Sequence, residues 1–134
     1  MGIDEALKVF LLSKPGITDK IQDKLFPDES PQDAKYPLVI WIKVSDNKEH
    51  TLSGISKLCR PMYQFTAFSY SKVEAKEVAK EIKKALNDFV GVMSGIQVQW
   101  IKLENELSDK LTTPDGTIKL FTEALEFQIN YEEE

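Results

Sequence analysis

The side chains able to do chemistry are few. His50 and Cys59 are the only histidine and cysteine among the 134 residues. His50 follows Glu49 in a polar stretch. Members of a Ser/His/Asp constellation need not be neighbours in sequence, but surface decoration is the plainer reading of an isolated loop histidine. Cys59 precedes Arg60, and a neighbouring cation favours the reactive thiolate. A small buried hydrophobe is the plainer reading here. Glu104 and Glu106, two residues apart, are expected on one strand face, the placement that paired carboxylates need for acid–base work. With no histidine or metal ligand near them, they read instead as a solvated edge. The run Gly91-Val92-Met93-Ser94-Gly95 has its serine in fourth place, whereas a nucleophile elbow needs it third. It reads as a helix cap followed by a turn. No glycine-rich run carries the lysine of a phosphate-binding loop. One cysteine and one histidine also fall short of a structural zinc site or a disulfide framework. The expectation is a protein that is no enzyme and holds no cofactor and no metal.

Composition agrees with an ordinary globular chain. Hydrophobic residues make up 42% and charged residues 29%, and the length suits a single domain spanning 1–134. The lone cysteine fits a reducing compartment. No apolar stretch approaches the ~20 residues of a membrane span, and no basic flank leads into an apolar signal core, so no membrane partner is expected. The net charge of −5 arises wholly beyond residue 70: residues 1–70 hold nine acids and nine bases, and residues 71–134 hold thirteen acids and eight bases. From Gln99 onward there are nine acids against three bases. Arg60 is the only arginine, so no clustered guanidinium surface for sequence-specific nucleic-acid binding is expected. The acidic surplus is either a solvated face or a selected negative surface.

Local patterns supply the elements that must position these groups. Ile3, Ala6, Leu7, Phe10 and Leu11 recur at helical spacing, and Lys14-Pro15-Gly16 stops that helix. Residues 17–36 carry Pro27 and Pro31 and read as irregular, with a short helical turn near 19–25. Pro37 opens a strand in which Leu38, Ile40, Ile42 and Val44 alternate with Val39, Trp41 and Lys43. Residues 46–58 read as a long loop carrying Leu52, Ile55 and Leu58 in polar surroundings, suited either to lie on a neighbour or to pack on its own sheet. A second strand runs from Arg60 to Ser69. Ser71 and Glu74 predict a capping box for a helix with Ala75, Val78, Ala79, Ile82, Ala85, Leu86 and Phe89 on one stripe, ended by Gly91. Ile96, Val98 and Trp100 alternate before Ile101 and Leu103 take over the apolar parity, which predicts a bulge near Trp100. Residues 105–116 are polar with a turn at Pro114-Asp115-Gly116, and Leu125, Phe127, Ile129 and Tyr131 form the last strand. The fold class is α+β: a four-stranded, mainly antiparallel sheet of two hairpins, with one long amphipathic helix and an N-terminal helix packed on it. Trp41, Phe68 and Tyr70 are expected on the face away from that long helix, covered either by the N-terminal helix or a loop, or by another copy of the chain.

Five stretches, in this order and spacing, carry a resemblance. They are the helix Ala6-Leu7-Lys8-Val9-Phe10-Leu11-Leu12, the run from Phe26-Pro27 to Tyr36-Pro37-Leu38-Val39-Ile40-Trp41, and His50-Thr51-Leu52-Ser53-Gly54 after Ser45-Asp46. The other two are Tyr63-Gln64-Phe65-Thr66-Ala67-Phe68-Ser69 leading into Ser71, and Ala124-Leu125-Glu126-Phe127-Gln128-Ile129-Asn130-Tyr131. Across about residues 4 to 131 the chain resembles the tail-completion family of tailed bacteriophages, also described as tail terminators or tail-to-head joining proteins. The resemblance implies a structural virion protein of a phage or prophage, assembled in the host cytoplasm. It implies a ring, often a hexamer, at the head-proximal end of the tail. That ring ends tube polymerisation, with itself, the tail tube protein and the head connector or stopper as partners. DNA would pass through without sequence-specific binding. On this reading His50, Leu52, Ile55 and Leu58 belong to the subunit interface, and Glu104, Glu106 and Asp109 line the channel. A small non-enzymatic α+β module binding a ligand or partner is the alternative.

Overall fold

The computed structural model describes residues 2–29, 31, 35–45, 48–51, 54–112 and 114–132, with backbone alone at 48–51 and 54–58. The first helix, α1 (Ile3–Leu12), buries Ile3, Ala6, Leu7 and Leu11, and Asp4 and Glu5 in its first turn complement the positive end of its dipole. Pro15 ends α1 as expected, but it also opens a second helix, α2 (Pro15–Ile21), which both starts and ends earlier than the short helical turn expected near 19–25. A proline in the first helical turn gives up no hydrogen bond, and Ile17 and Ile21, one turn apart, bury this short helix. A three-residue strand, β1 (Leu25–Pro27), follows.

Of the loop expected at 46–58, the described residues 48–51 and 54–58 form paired strands instead. Strand β2 (Leu38–Ser45) is followed by β3 (Lys48–Thr51), and β4 (Gly54–Cys59) by β5 (Met62–Ser69). The register runs from Leu38↔Phe68 through Lys43↔Tyr63 and Lys48↔Cys59 to Thr51↔Gly54, with irregularities at Lys43/Ser45 and Lys48/His50. Lys48–Thr51 is polar and shows no apolar alternation, so it carries no strand signal of its own.

Helix α3 (Lys72–Leu86) matches the predicted stripe, burying Ala75, Val78, Ala79, Ile82 and Leu86. Its cap differs from the expected reciprocal box. Ser71 Oγ accepts from the Glu74 amide at 3.4 Å. The Glu74 carboxylate, however, accepts from Ser69 Oγ at 2.7 Å, and Ser69 Oγ in turn accepts from the Ser71 amide at 3.1 Å. Nor does Gly91 end the helix. Asp88 takes the left-handed conformation (φ 63°), its amide donates to the Ile101 carbonyl at 2.8 Å, and Asn87 Oδ1 accepts from the Leu103 amide at 3.3 Å. The chain is thus tied to the sheet before Gly91, which begins β6 (Gly91–Met93).

Two long strands complete the sheet, β7 (Ile96–Thr112) and β8 (Lys119–Glu132). Among the described residues the sheet has eight strands rather than the predicted four, and it is mixed and strongly curled. Its lateral order is β1-β2-β5-β8, with β7 beyond β8 and β6 on β7; β4 continues beside β8 from β5, and β3 pairs with β4. Among the described strands only β1 and β2 run parallel. Strand β7 is far longer than its apolar alternation suggested, because residues 104–112 are exposed on both faces and select no apolar parity. The predicted bulge is present: Val98 faces Tyr131 and Trp100 faces Asn130, so Gln99 is the extra residue. Asn130 Nδ2 donates to the Trp100 carbonyl at 3.1 Å and holds the bulge.

All three helices share one core with one sheet face, built on Val39, Tyr63, Phe65, Val98, Ile101, Leu125, Phe127 and Ile129. Trp41 belongs to this face, contrary to expectation, because it is in register with Phe65 and its ring lies 5.9 Å from that of Tyr63. Both faces of β2 are apolar, so sequence parity could not assign it. Phe68 is half-buried on the other face opposite Leu38, and Tyr70 is exposed with an edge-on contact to Tyr36 at 4.9 Å.

Candidate functional site

The residues singled out for chemistry do not converge. Cys59 is fully buried and in register with Tyr131. Leu52 lies outside the described residues, as do the side chains of His50, Ile55 and Leu58; the backbones of those three lie in β3 and β4. Met93-Ser94-Gly95-Ile96 is a two-residue hairpin turn between β6 and β7, with positive φ at Ser94 (49°) and Gly95 (83°). Ser94 is exposed at its tip. It is neither an elbow nor part of a helix cap.

The three acids of β7 are separated by a second bulge. Leu103 faces Phe127 and Asn105 faces Glu126, so Glu104 has no partner on β8 and does not form a same-face carboxylate pair with Glu106. Glu104 lies 3.5 Å from Lys102. Glu106 sits on the helix side, opposite Leu125, and pairs with Lys83 of α3 at 2.9 Å. Asp109, opposite Thr122, is on the other face, where its carboxylate accepts from the Lys110 amide at 2.7 Å.

The surface features that do emerge suit macromolecular contact. The exposed side of α3 is divided by charge. Lys83 reaches Glu106 on β7, and Lys72, Lys76 and Lys80 lie on the same stripe at helical spacing. These lysines line two open clefts against β7 and β8, of ≈ 380 and ≈ 260 Å³, shared with Ser108, Lys110 and the acids Glu106, Asp109 and Glu123. The opposite stripe holds Glu77 and Glu81 toward α2. Glu77 pairs with Lys20 at 3.0 Å and holds its ammonium above the ordinary lysine range. Glu81 lies over Gly16, where an added Cβ would collide with its carboxylate. The spacing of lysines at 72, 76, 80 and 83 against glutamates at 77 and 81 was readable in sequence; what lay on either side of the helix was not.

Beyond β6 and the links from Asn87, Asp88 and Phe89, no described strand pairs with the outer edge of β7. Two amides there are met locally: Glu106 N donates to Asn105 Oδ1 at 3.0 Å and Lys110 N to Asp109 Oδ1 at 2.7 Å. Charged side chains and such local bonds blunt an edge against strand addition. A further hollow between Tyr36, Tyr70, Leu111, Ile118 and Leu120 is apolar and open. No nucleophile, base and orienting group come together among the described residues. The arrangement offers charged flanks, an apolar hollow and a sheet face that none of the described helices covers. On that face Leu38, Thr122 and Ala124 are buried, and Gln64, Thr66, Glu126 and Gln128 are partly so.

Comparison with known proteins gives this surface a context. The family model described as tail completion protein gp17 matches residues 5–132. No curated protein matches the chain. A chain in a structure of the virion of a native gene transfer agent particle has the same fold: its TM-score is 0.75 at 12% identity, over 97% of this chain and 94% of that one.

Proposed function

This chain belongs to the tail completion protein gp17 family, and on that premise we propose that it is a non-enzymatic structural component of a phage-like virion. It closes as a ring on the head-proximal end of the tail tube, stops tube growth and presents a surface to the head connector. The observation that carries this reading is the family match over residues 5–132.

The fold supports a definite orientation. Among the described residues the helices cover one sheet face, and the other carries Gln64, Thr66, Glu126 and Gln128. In the proposed ring this uncovered face looks into the channel and the helices look outward. DNA then slides along amides, hydroxyls and a modest negative field without being held. Of the acids expected in the channel, Glu106 lies on the helix side beside Lys83 and so outside the channel in this orientation, and Glu104 sits beside Lys102. Asp109, joined by Glu126 on the same face, therefore carries most of the repulsive field. Past Leu58, the described strands β3 and β4 pair only with one another. This arm, with His50, Leu52, Ile55 and Leu58, is the proposed contact with a neighbouring subunit.

Deleting the chain from its assembling particle and imaging the products by electron microscopy tests the proposal. The expected products are over-long tubes and filled heads without tails. Joined particles with tails of normal length would overturn it.

A further inference from the structure

The two lateral flanks of this subunit each hold a cluster of side chains of one sign, unpaired among the described residues, basic on one and acidic on the other. On the β7 side, Lys72, Lys76 and Lys80 are exposed on α3 and make no ion pair among the described residues; Glu106, paired with Lys83, and Asp109 and Glu123 line the same clefts nearer the sheet. On the β1 side, Asp19, Asp23, Asp28 and Glu29 are exposed and likewise make none. Of the bases near that flank, Lys20 is paired with Glu77, whereas Lys24, which donates to the Lys35 carbonyl at 3.0 Å, and the exposed Lys35 keep their charge. Among the described residues the acids thus outnumber the unpaired bases four to two. β1 and β7 lie at opposite ends of the lateral order β1-β2-β5-β8-β7, and the lysine stripe is on the β7 side of α3, away from the stripe that meets α2 through Glu77 and Lys20.

We propose that copies of this chain join head to tail, the lysine stripe of α3 in one copy meeting the acidic α2–β1 flank of the next. The inference rests on the ring reading above and adds which surfaces meet. Charge decides the symmetry. A two-fold contact through either flank would set like charges against each other, whereas a head-to-tail contact brings unlike charges together at every junction. Direct strand pairing between the two edges is disfavoured from both sides. Pro27 lacks an amide on β1, and Asn105 and Asp109 cap two β7 amides. The contact is therefore made by side chains, and it is salt-sensitive.

Three full-length variants test this: Lys76→Glu with Lys80→Glu, Asp19→Lys with Asp23→Lys, and all four together. All four positions are exposed or nearly so, and thermal unfolding of each variant checks the fold. The readout is the fraction of closed rings by mass photometry, for the chain alone and on purified tail tubes, at low and high salt. Each two-site reversal should lower the ring fraction at low salt by about tenfold or more, and the four-site exchange should restore it to within about twofold. Reversals that assemble like the wild type, or an exchange that fails to restore assembly, would overturn this contact while leaving the ring reading intact. A wild-type chain that forms no ring, alone or on tubes, would overturn the ring reading and the contact with it.

Discussion

The phenolic hydroxyl of Tyr63 donates to the carboxylate of Asp4, tying β5 to the first turn of α1. Tyr63 is fully buried and its partner lies at the surface end of the bond. The contact fixes the N-terminal helix on the covered face of the sheet, where Ile3, Ala6, Leu7 and Leu11 join the common core.

Tyr63→Phe keeps the ring and removes the bond. Hydrogen bonds to charged groups contribute about 1.5–3 kcal/mol, so the variant should lose stability in that range by urea denaturation. Asp4→Asn combined with Tyr63→Phe should lose less than the two single losses summed, because both changes act on one contact.

Phe127 is fully buried and meets Phe65 edge-on at 6.0 Å, whereas Glu126 lies on the uncovered face. Phe127→Ala should cost about 3–5 kcal/mol, and Glu126→Ala should stay within about 0.5 kcal/mol. Equal shifts in the two denaturation curves would contradict the strand parity.

Ser69, buried at the end of β5, both donates to Glu74 and accepts from the Ser71 amide. Ser69→Ala removes both links of β5 to the start of α3 and should cost about 1–2 kcal/mol. Ser71→Ala removes one long, exposed bond and should cost about 0.5–1 kcal/mol. Thermal unfolding followed by helical circular dichroism checks the order.

The channel reading predicts unequal effects among acids. Asp109→Lys with Glu126→Lys should leave assembly intact and slow DNA ejection, with relief at high salt as screening falls below ~8 Å. Glu104→Lys alone should change ejection little, because Lys102 already lies beside this carboxylate. A Glu104→Lys effect as large as that of the double variant would contradict it.

How much of this was legible in the sequence depended on burial. α1, α3, β5 and β8 each bury one face, and burial imposes a period that residues such as Val78, Ile82, Phe65 and Phe127 display. The Gln99 bulge showed because apolar Val98 and Ile101 flank it and record the change of parity. The Glu104 bulge did not, because Asn105 and Glu106 beyond it are exposed and record nothing. That is why Glu104 and Glu106 were expected to share a face. α2 was only partly anticipated, as a turn near 19–25, because two isoleucines in seven residues give too short a pattern to fix its bounds, and the proline that stops one helix also starts the next. The second half of β7 and the β3–β4 arm pair without an apolar face in the sequence pattern, so backbone pairing formed strands where the sequence suggested loop. The charge division of α3 was present in the spacing but acquired meaning only once β7 lay on one side and α2 on the other.

The central claim, a ring at the head-proximal end of the tail, is tested most directly by an electron cryo-microscopy map of the complete particle containing this chain. The account predicts several symmetry-related copies in one ring between the tube and the head connector. Their helices should face outward, their uncovered sheet faces should line the channel, and Asp109 and Glu126 should lie near the DNA path. Copies at the distal tip, a single unringed copy, or helices lining the channel would contradict it.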